Sequence, residues 1–187
     1  RGKAFYTSLL DYIQGKVHYP DAPIKRRVIA LVYQGENAIK KIREIAGPTN
    51  PHVARDTKPG CIRALGTVVP IVDENGKIIA ERMDNLIHAS SSPQDAEREI
   101  KLWFRPVDIP PLMRIYPTEV CQDHCYYKDG AICTTRTDGC TSLLAPGDIA
   151  WATDMEVLRT VCNSEEPIYP VNAVAAKYLI NEKVETE

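Results

Sequence analysis

Apolar positions recur along the chain with two different periods, and each predicts its own kind of element. Phe5, Leu9, Tyr12 and Ile13 share one stripe of a helical repeat, so residues 4–14 are expected to form a helix, followed by a loop over the Gly- and Pro-punctuated residues 15–23. Residues 28–33 are a continuous apolar run suited to a buried central strand. Residues 37–46 return to helical spacing, with Ala38, Ile39, Ile42, Ile45 and Ala46 on one side and Gly47-Pro48 as the stop. Residues 49–66 are expected to be a long loop. Two short apolar runs, 68–72 and 77–80, flank the turn sequence Asp73-Glu74-Asn75-Gly76 and predict a hairpin. A strand-like run ending at His88 leads into a helix over 93–104, with Ala96, Ile100 and Trp103 or Phe104 expected on its inner face. Further on, the capping-box pattern Thr153-Asp154-Met155-Glu156 predicts a helix to about Val161. Val174, Tyr178 and Leu179 predict a last helix over 172–181.

The junction at His88 carries the first chemical signal. Ser92 suits the cap of the following helix, Pro93 its first position and Asp95 its first turn, so the positive end of that helix begins close to His88. Such an end attracts phosphate. A histidine nucleophile needs one free ring nitrogen and an acceptor on the other, and Glu99, about two turns along the helix, can be that acceptor. Taken alone, a histidine at a strand end and a glutamate on a helix are equally the marks of a packed residue and a surface charge.

Five stretches carry a stronger signal together. They are Gly35-Glu36-Asn37-Ala38, then Arg43-Glu44-Ile45-Ala46-Gly47-Pro48-Thr49-Asn50-Pro51, Lys58-Pro59-Gly60-Cys61-Ile62-Arg63, Asn85-Leu86-Ile87-His88-Ala89-Ser90, and Ser92-Pro93-Gln94-Asp95-Ala96-Glu97-Arg98-Glu99-Ile100. In this order they resemble the nucleoside diphosphate kinase family, and residues 1–13 resemble the family helix that carries an aromatic pair followed by Leu. The resemblance implies an α/β (α+β) fold in which a ferredoxin-like antiparallel sheet is covered by helices. It places residues 1–109 in the family core and 110–187 in a Cys-containing C-terminal extension.

The activity implied is a ping-pong transfer of the γ-phosphate from a nucleoside triphosphate to a nucleoside diphosphate through a phosphohistidine on His88. By the same resemblance Glu99 orients the imidazole, and Ser90 supports the site. Arg43, Thr49 and Arg63 hold the β- and γ-phosphates, Asn85 binds the ribose hydroxyl, and Phe5 stacks on the base with Leu9 beside it. Guanidinium forks suit a reaction that asks mainly for positioning and charge neutralisation. Mg²⁺ is expected with the nucleotide, held chiefly by its phosphates. The implied partners are nucleoside di- and triphosphates and further copies of the chain, as a hexamer, tetramer or dimer.

Some positions depart from the family pattern. Ala89 stands where the family usually has Gly, Ser91 where it has Asp, and Ala64-Leu65 where Gly-Asp follows the arginine; the hairpin at 68–80 is an insertion. The family's opening strand with its Lys-Pro-Asp motif, a helix and a second strand precede the point that matches Arg1. The sequence is therefore expected to be a fragment or the ordered part of a longer chain. An alternative to the kinase follows from these departures: a non-catalytic relative using the nucleotide pocket for binding or assembly.

Composition narrows the classes further. A net charge of −2 leaves no basic field for nucleic acid, and 44% hydrophobic residues over 187 positions suffice for a core. No apolar run approaches a membrane span, and the expected location is cytoplasmic. Five of the six cysteines fall after residue 110. Cys121, Cys125, Cys133 and Cys140, with His124 as a substitute ligand, can form a structural Zn²⁺ site, pair as disulfides that staple a segment with little core of its own, or stay free. No second catalytic constellation is visible in this segment, which is expected to wrap the core or form a subunit contact.

Overall fold

A computed structural model describes residues 2–179, in which helices and small antiparallel sheets give an α+β architecture. The chain divides into two compact units, Arg1–Pro93 and Gln94–Glu187.

In the first unit, helix α1 (Lys3–Ile13) buries Phe5, keeps Leu9 and Tyr12 half-buried, and leaves Ile13 exposed. It packs on the hairpin of β1 (Thr67–Val72) and β2 (Ile78–Asp84), which forms where the turn chemistry predicts it. Asp73 Oδ1 accepts from the N–H groups of Asn75 and Lys77 at 2.9 and 3.0 Å, and Gly76 takes the left-handed φ of 77° that closes the turn. A buried ion pair fastens helix to hairpin. Arg82 donates to both carboxylate oxygens of Asp84 at 2.6 and 2.9 Å and to Ser8 Oγ of α1 at 2.7 Å, and its guanidinium lies over the Tyr12 ring. The Asp84 carboxylate holds the Arg82 guanidinium above its ordinary pKa.

Four expectations for this unit are corrected. Residues 28–33 do not form a strand: the segment is extended but unladdered, and Ile29 is 85% exposed. An apolar run supplies side chains for a sheet, whereas the ladder needs a neighbouring strand, and none pairs with this segment among the described residues. Residues 49–66 are not one loop, for they contain α3 (Pro51–Thr57) and a 3₁₀ turn (Ile62–Leu65). Asn50 Oδ1 caps α3 by accepting from His52 N and Val53 N at 2.8 and 3.4 Å, with Pro51 at the first helical position. His88 lies beyond the end of β2 in an irregular stretch, because Leu86 adopts a φ of 69° that breaks the extended backbone. Helix α2 (Ala38–Ala46) forms as expected and buries Ala46, but Ile45 sits a step around the helix from the Ile42–Ala46 face and is exposed.

The second unit contains α4 (Pro93–Trp103) from Gln94 onward, the paired strands β3 (Thr118–Val120) and β7 (Ile149–Trp151), and the three-stranded sheet β5 (Ala131–Cys133), β4 (Cys125–Lys128), β6 (Thr141–Leu144), with helices α5 (Ala152–Cys162) and α6 (Val171–Leu179). Residues 94–109 belong to this unit. Trp151 Nε1 donates to Phe104 O at 2.7 Å, and Lys177 Nζ donates to Lys101 O. On α4 it is Phe104 that is half-buried just past the helix end, while Trp103 is exposed.

The segment expected to lack a core has one. Cys121, Cys125, Ile132, Leu143, Leu144, Ala150, Met155, Val157, Leu158, Val174, Ala175 and Tyr178 form one buried cluster, fed by alternate strand positions and one face each of α5 and α6. Helix α5 begins after Trp151 without a side-chain cap, ahead of the expected box at Thr153. The end of the expected last helix, 180–181, lies outside the described residues.

Candidate active site

The site around His88 is assembled from main-chain carbonyls and two guanidinium groups of the first unit. Helix α2 ends at Gly47, whose φ of 84° turns the chain and whose missing Cβ would stand 2.1 Å from Cys61 Sγ. That close approach brings the 3₁₀ turn against the end of α2 and buries Arg63 to 6% exposure. Arg63 Nη1 donates to Gly47 O at 2.9 Å, while Nε and Nη2 donate to Ile87 O at 3.3 and 3.2 Å. Arg43, in the last turn of α2, donates from Nη1 to Ala89 O at 3.3 Å. The carbonyls on both sides of His88 are thus each held by an arginine.

The electrostatics of this arrangement favour an anion. Burial, and next the charge of Arg43, lower the Arg63 pKa. The hydrogen-bond acceptors of both arginines are neutral carbonyls, so among the described residues the two neighbouring cations have no carboxylate counter-ion and retain spare donors out of five each. Such a pair has the charge and the donors that an anion such as phosphate requires. His88 itself is exposed, on a segment pinned at each flank. Ala89 is buried with an ordinary backbone conformation, since the positive-φ residues nearby do not include it; the usual glycine is not required here.

The remaining expected residues have their own local surroundings. Asn85 Nδ2 donates to Thr49 O at 3.0 Å, so those two meet through side chain and main chain. Ser90 is half-buried two positions after His88. Phe5 is turned into the protein, with an edge-to-face contact to Tyr6 at 5.7 Å, and Leu9 is half-buried one turn along. Glu99 belongs to the second unit, where its carboxylate is 16% exposed and accepts from Arg98 Nη2 at 3.3 Å.

Sequence patterns did not single out the residues that aim this segment. Tyr12 OH accepts from Leu86 N at 3.3 Å, and Arg55 Nη1 donates to Ala64 O and Gly66 O at 3.2 and 2.7 Å. A Cβ on Gly66 would stand 2.5 Å from Asp84 O. Of these, Gly66, at the end of the segment expected to be a loop, is the kind of residue that marks a change of element in a sequence.

The sequence leaves three readings open for the cysteines: a zinc site, disulfides and free thiols. Among the described residues no group of three or more His, Cys, Asp or Glu side chains is placed to hold a metal ion, and all six thiols are free. Cys121 Sγ donates to Asp123 O at 2.9 Å, and His124 stacks on Tyr126 at 5.5 Å, directed to a ring and not to a thiolate cluster. Burial pushes the Cys125 thiol up to about 12, with Cys121 adding to it, so this sulfur is a neutral core group at neutral pH.

The family model described as nucleoside diphosphate kinase matches residues 1–109. Over 109 residues the chain is 36% identical to a protein named nucleoside diphosphate kinase from Pyrococcus furiosus, covering 58% of this chain and 54% of that one. A protein of the same name from Methanocaldococcus jannaschii is 36% identical over 109 residues, with 58% and 60% covered, and one from Streptomyces griseus is 38% identical over 105 residues, with 56% and 58% covered. The chain spans about half the length of the curated relatives it matches. No solved structure matches it. No helix among the described residues is long and apolar enough to cross a membrane.

Proposed function

The chain belongs to the nucleoside diphosphate kinase family, and we propose that the protein transfers the γ-phosphate of a nucleoside triphosphate to a nucleoside diphosphate through His88. The observation that carries this reading is the pair of arginines pinning the carbonyls of Ile87 and Ala89. In the first half-reaction a ring nitrogen of His88 forms a bond to the γ-phosphorus as the bond to the β–γ bridging oxygen breaks, releasing the diphosphate. In the second, a terminal β-phosphate oxygen of the acceptor attacks the phosphohistidine, and the N–P bond breaks. Arg43 and Arg63 neutralise charge on the transferred group, which suits the loose transition state of phosphoryl transfer. Mg²⁺ enters with the nucleotide phosphates.

Glu99 is the proposed orienting carboxylate, Ser90 and Thr49 are proposed to support the phosphates, and Asn85 the ribose. Phe5 and Leu9 are the proposed base contacts. Assembly into a homo-oligomer is part of the same reading, since the solvent-facing run at 28–33 is an apolar surface of the kind that marks interfaces. A second reading is a non-catalytic relative that uses the nucleotide pocket for binding or assembly, and Ser91, standing where the family usually has Asp beside the proposed nucleophile, favours it.

Incubating the full-length protein with γ-labelled ATP separates the two. The kinase reading expects an acid-labile, alkali-stable label on the protein that disappears in His88→Ala and that is discharged by added nucleoside diphosphate. Nucleotide binding with no label on the full-length protein would overturn it in favour of the second reading.

A further inference from the structure

A cavity of about 270 Å³ lies within the second unit, among α4, α5, α6 and Tyr169. Its lining includes two charged side chains, Asp154 and Lys177, that are each only 5% exposed. Lys177 Nζ donates to Asp154 Oδ2 at 2.6 Å and to Lys101 O. An ammonium has three donors; two end on these oxygens, and the third has no oxygen or nitrogen acceptor among the described residues, with the centroid of the Tyr178 ring 5.5 Å from Nζ. Asp154 Oδ2 also accepts from Tyr178 OH at 2.8 Å, and this oxygen carries both of the residue's hydrogen bonds. Among the described residues no donor reaches Oδ1. No sealed side-chain oxygen or nitrogen is left without a partner among the described residues, so Oδ1 is not sealed off, and Asp154 is one of the residues that line the cavity.

We propose that this cavity binds a small zwitterion, an α-amino acid with an apolar side chain, through the adjacent open valences of Asp154 and Lys177. Lys177 Nζ and Asp154 Oδ2 sit 2.6 Å apart, and an α-amino acid carries its ammonium and its carboxylate side by side on the α-carbon. Laid against the pair, the ligand ammonium donates to Asp154 Oδ1 while its carboxylate accepts the third Lys177 proton. A ligand with one charge completes only one of these and leaves the other desolvated, which is the costly outcome for a buried polar group.

Other features agree with this assignment. Burial lowers the Lys177 pKa despite the pull of Asp154, so the ammonium gains from a second anion. Leu102 and Val174 supply apolar wall for a side chain. Arg98, which also lines the cavity, has a side chain about half exposed and one nitrogen on Glu99 at 3.3 Å, and it adds a further cation for the carboxylate. The volume lies just under the ~300–1,000 Å³ of pockets for drug-sized ligands, which fits a compact metabolite.

The test uses the full-length protein and calorimetric titration with L-leucine, L-isoleucine, L-valine and L-methionine. At least one is expected to bind with Kd of ~1 mM or tighter. Its amide, lacking the carboxylate, and its N-acetyl form, lacking the ammonium, are each expected to bind at least ~10-fold more weakly, and Arg98→Gln to weaken binding several-fold. Ala173→Trp, which fills the cavity, is expected to abolish binding. Absence of binding by all four amino acids, equal binding of either singly charged analogue, or unchanged binding in both variants would overturn the proposal. Because His88 labelling is not part of this test, its outcome is independent of the kinase reading.

Discussion

The two units spend their buried residues differently. In the first, the buried apolar cluster is only Ala54, Cys61 and Ala64, beneath the glycine-permitted crossing that carries Arg63, while larger apolar side chains such as Ile29 and Leu31 face solvent. In the second, Trp151, Val157 and Leu158 are all but inaccessible, and strands and helices share one cluster. The first unit resembles a cradle of carbonyls and cations, the second a conventional hydrophobic core. The contrast teaches that the chemistry-bearing region is held by hydrogen bonds and close backbone packing, and the extension by burial.

The largest expected effect tests that division directly. Trp151→Ala removes a fully buried indole and its bond to Phe104 O, and is expected to cost about 3–5 kcal/mol, lowering the Tm of the second unit by about 10 °C or more. Ile29→Ala, a similar truncation on an exposed side chain, is expected to stay within about 0.5 kcal/mol. Thermal and urea denaturation of both variants measure the pair. A cost above ~2 kcal/mol for Ile29→Ala would break the comparison, since it would mean that the apolar run is covered in the assembled protein.

The next effect sharpens the chemical half. Arg63→Met is expected to slow phosphoryl transfer through His88 by about 10²–10³, because the residue is proposed both to aim the segment and to meet developing charge. Its stability cost is expected to be about 1–3 kcal/mol, from the Gly47 and Ile87 carbonyls that lose their donor. Arg43→Gln is the partner experiment: the side chain is exposed, so stability should change by less than about 0.5 kcal/mol while transfer falls measurably. Rapid-quench labelling beside calorimetry reads both quantities. Equal losses of stability in the two variants would show that Arg43 is as structural as Arg63.

Local chemistry was legible in the sequence, and non-local pairing was not. The hairpin followed from Asp73-Glu74-Asn75-Gly76 because the turn closes on its own side chain and one glycine. The stop of α2 followed from Gly47-Pro48 for the same reason. Helix α3 was also signalled, by Asn50-Pro51, but the prolines and glycines around it had the look of a loop. The apolar run at 28–33 was visible as apolar, whereas its ladder depends on a partner that no periodicity reveals. His88, Arg43 and Arg63 were legible through the family resemblance. Burial of Arg63, and its carbonyl partners, came from a crossing that only Gly47 and Cys61 permit. Asp154, Lys177 and Tyr178 were invisible as a group, since they lie on two helices and meet only when α6 packs on α5.

The smallest expected effect separates the two units by pH. Asp108 accepts from Arg105 Nη2 at 2.8 Å, from Nε at 3.1 Å and from the Arg105 main-chain N–H at 2.8 Å. The Arg105 guanidinium, against the opposing effect of burial, holds the Asp108 carboxyl below its ordinary pKa. A depressed folded-state pKa means that this stabilisation is complete above the unfolded-state value and is lost as pH falls through the lower folded-state value. Asp108→Asn is therefore expected to cost no more than about 1 kcal/mol at neutral pH, with sensitivity to salt, because the pair is partly exposed. The difference between Asp108→Asn and the unaltered protein should shrink as the acid range is entered. The Arg43 and Arg63 bonds end on carbonyls that take up no proton there, so a variant at either arginine should keep its stability difference across the same range. A difference that grew as pH fell, in denaturation series at matched ionic strength, would show that burial raises the Asp108 pKa by more than its Arg105 partner lowers it.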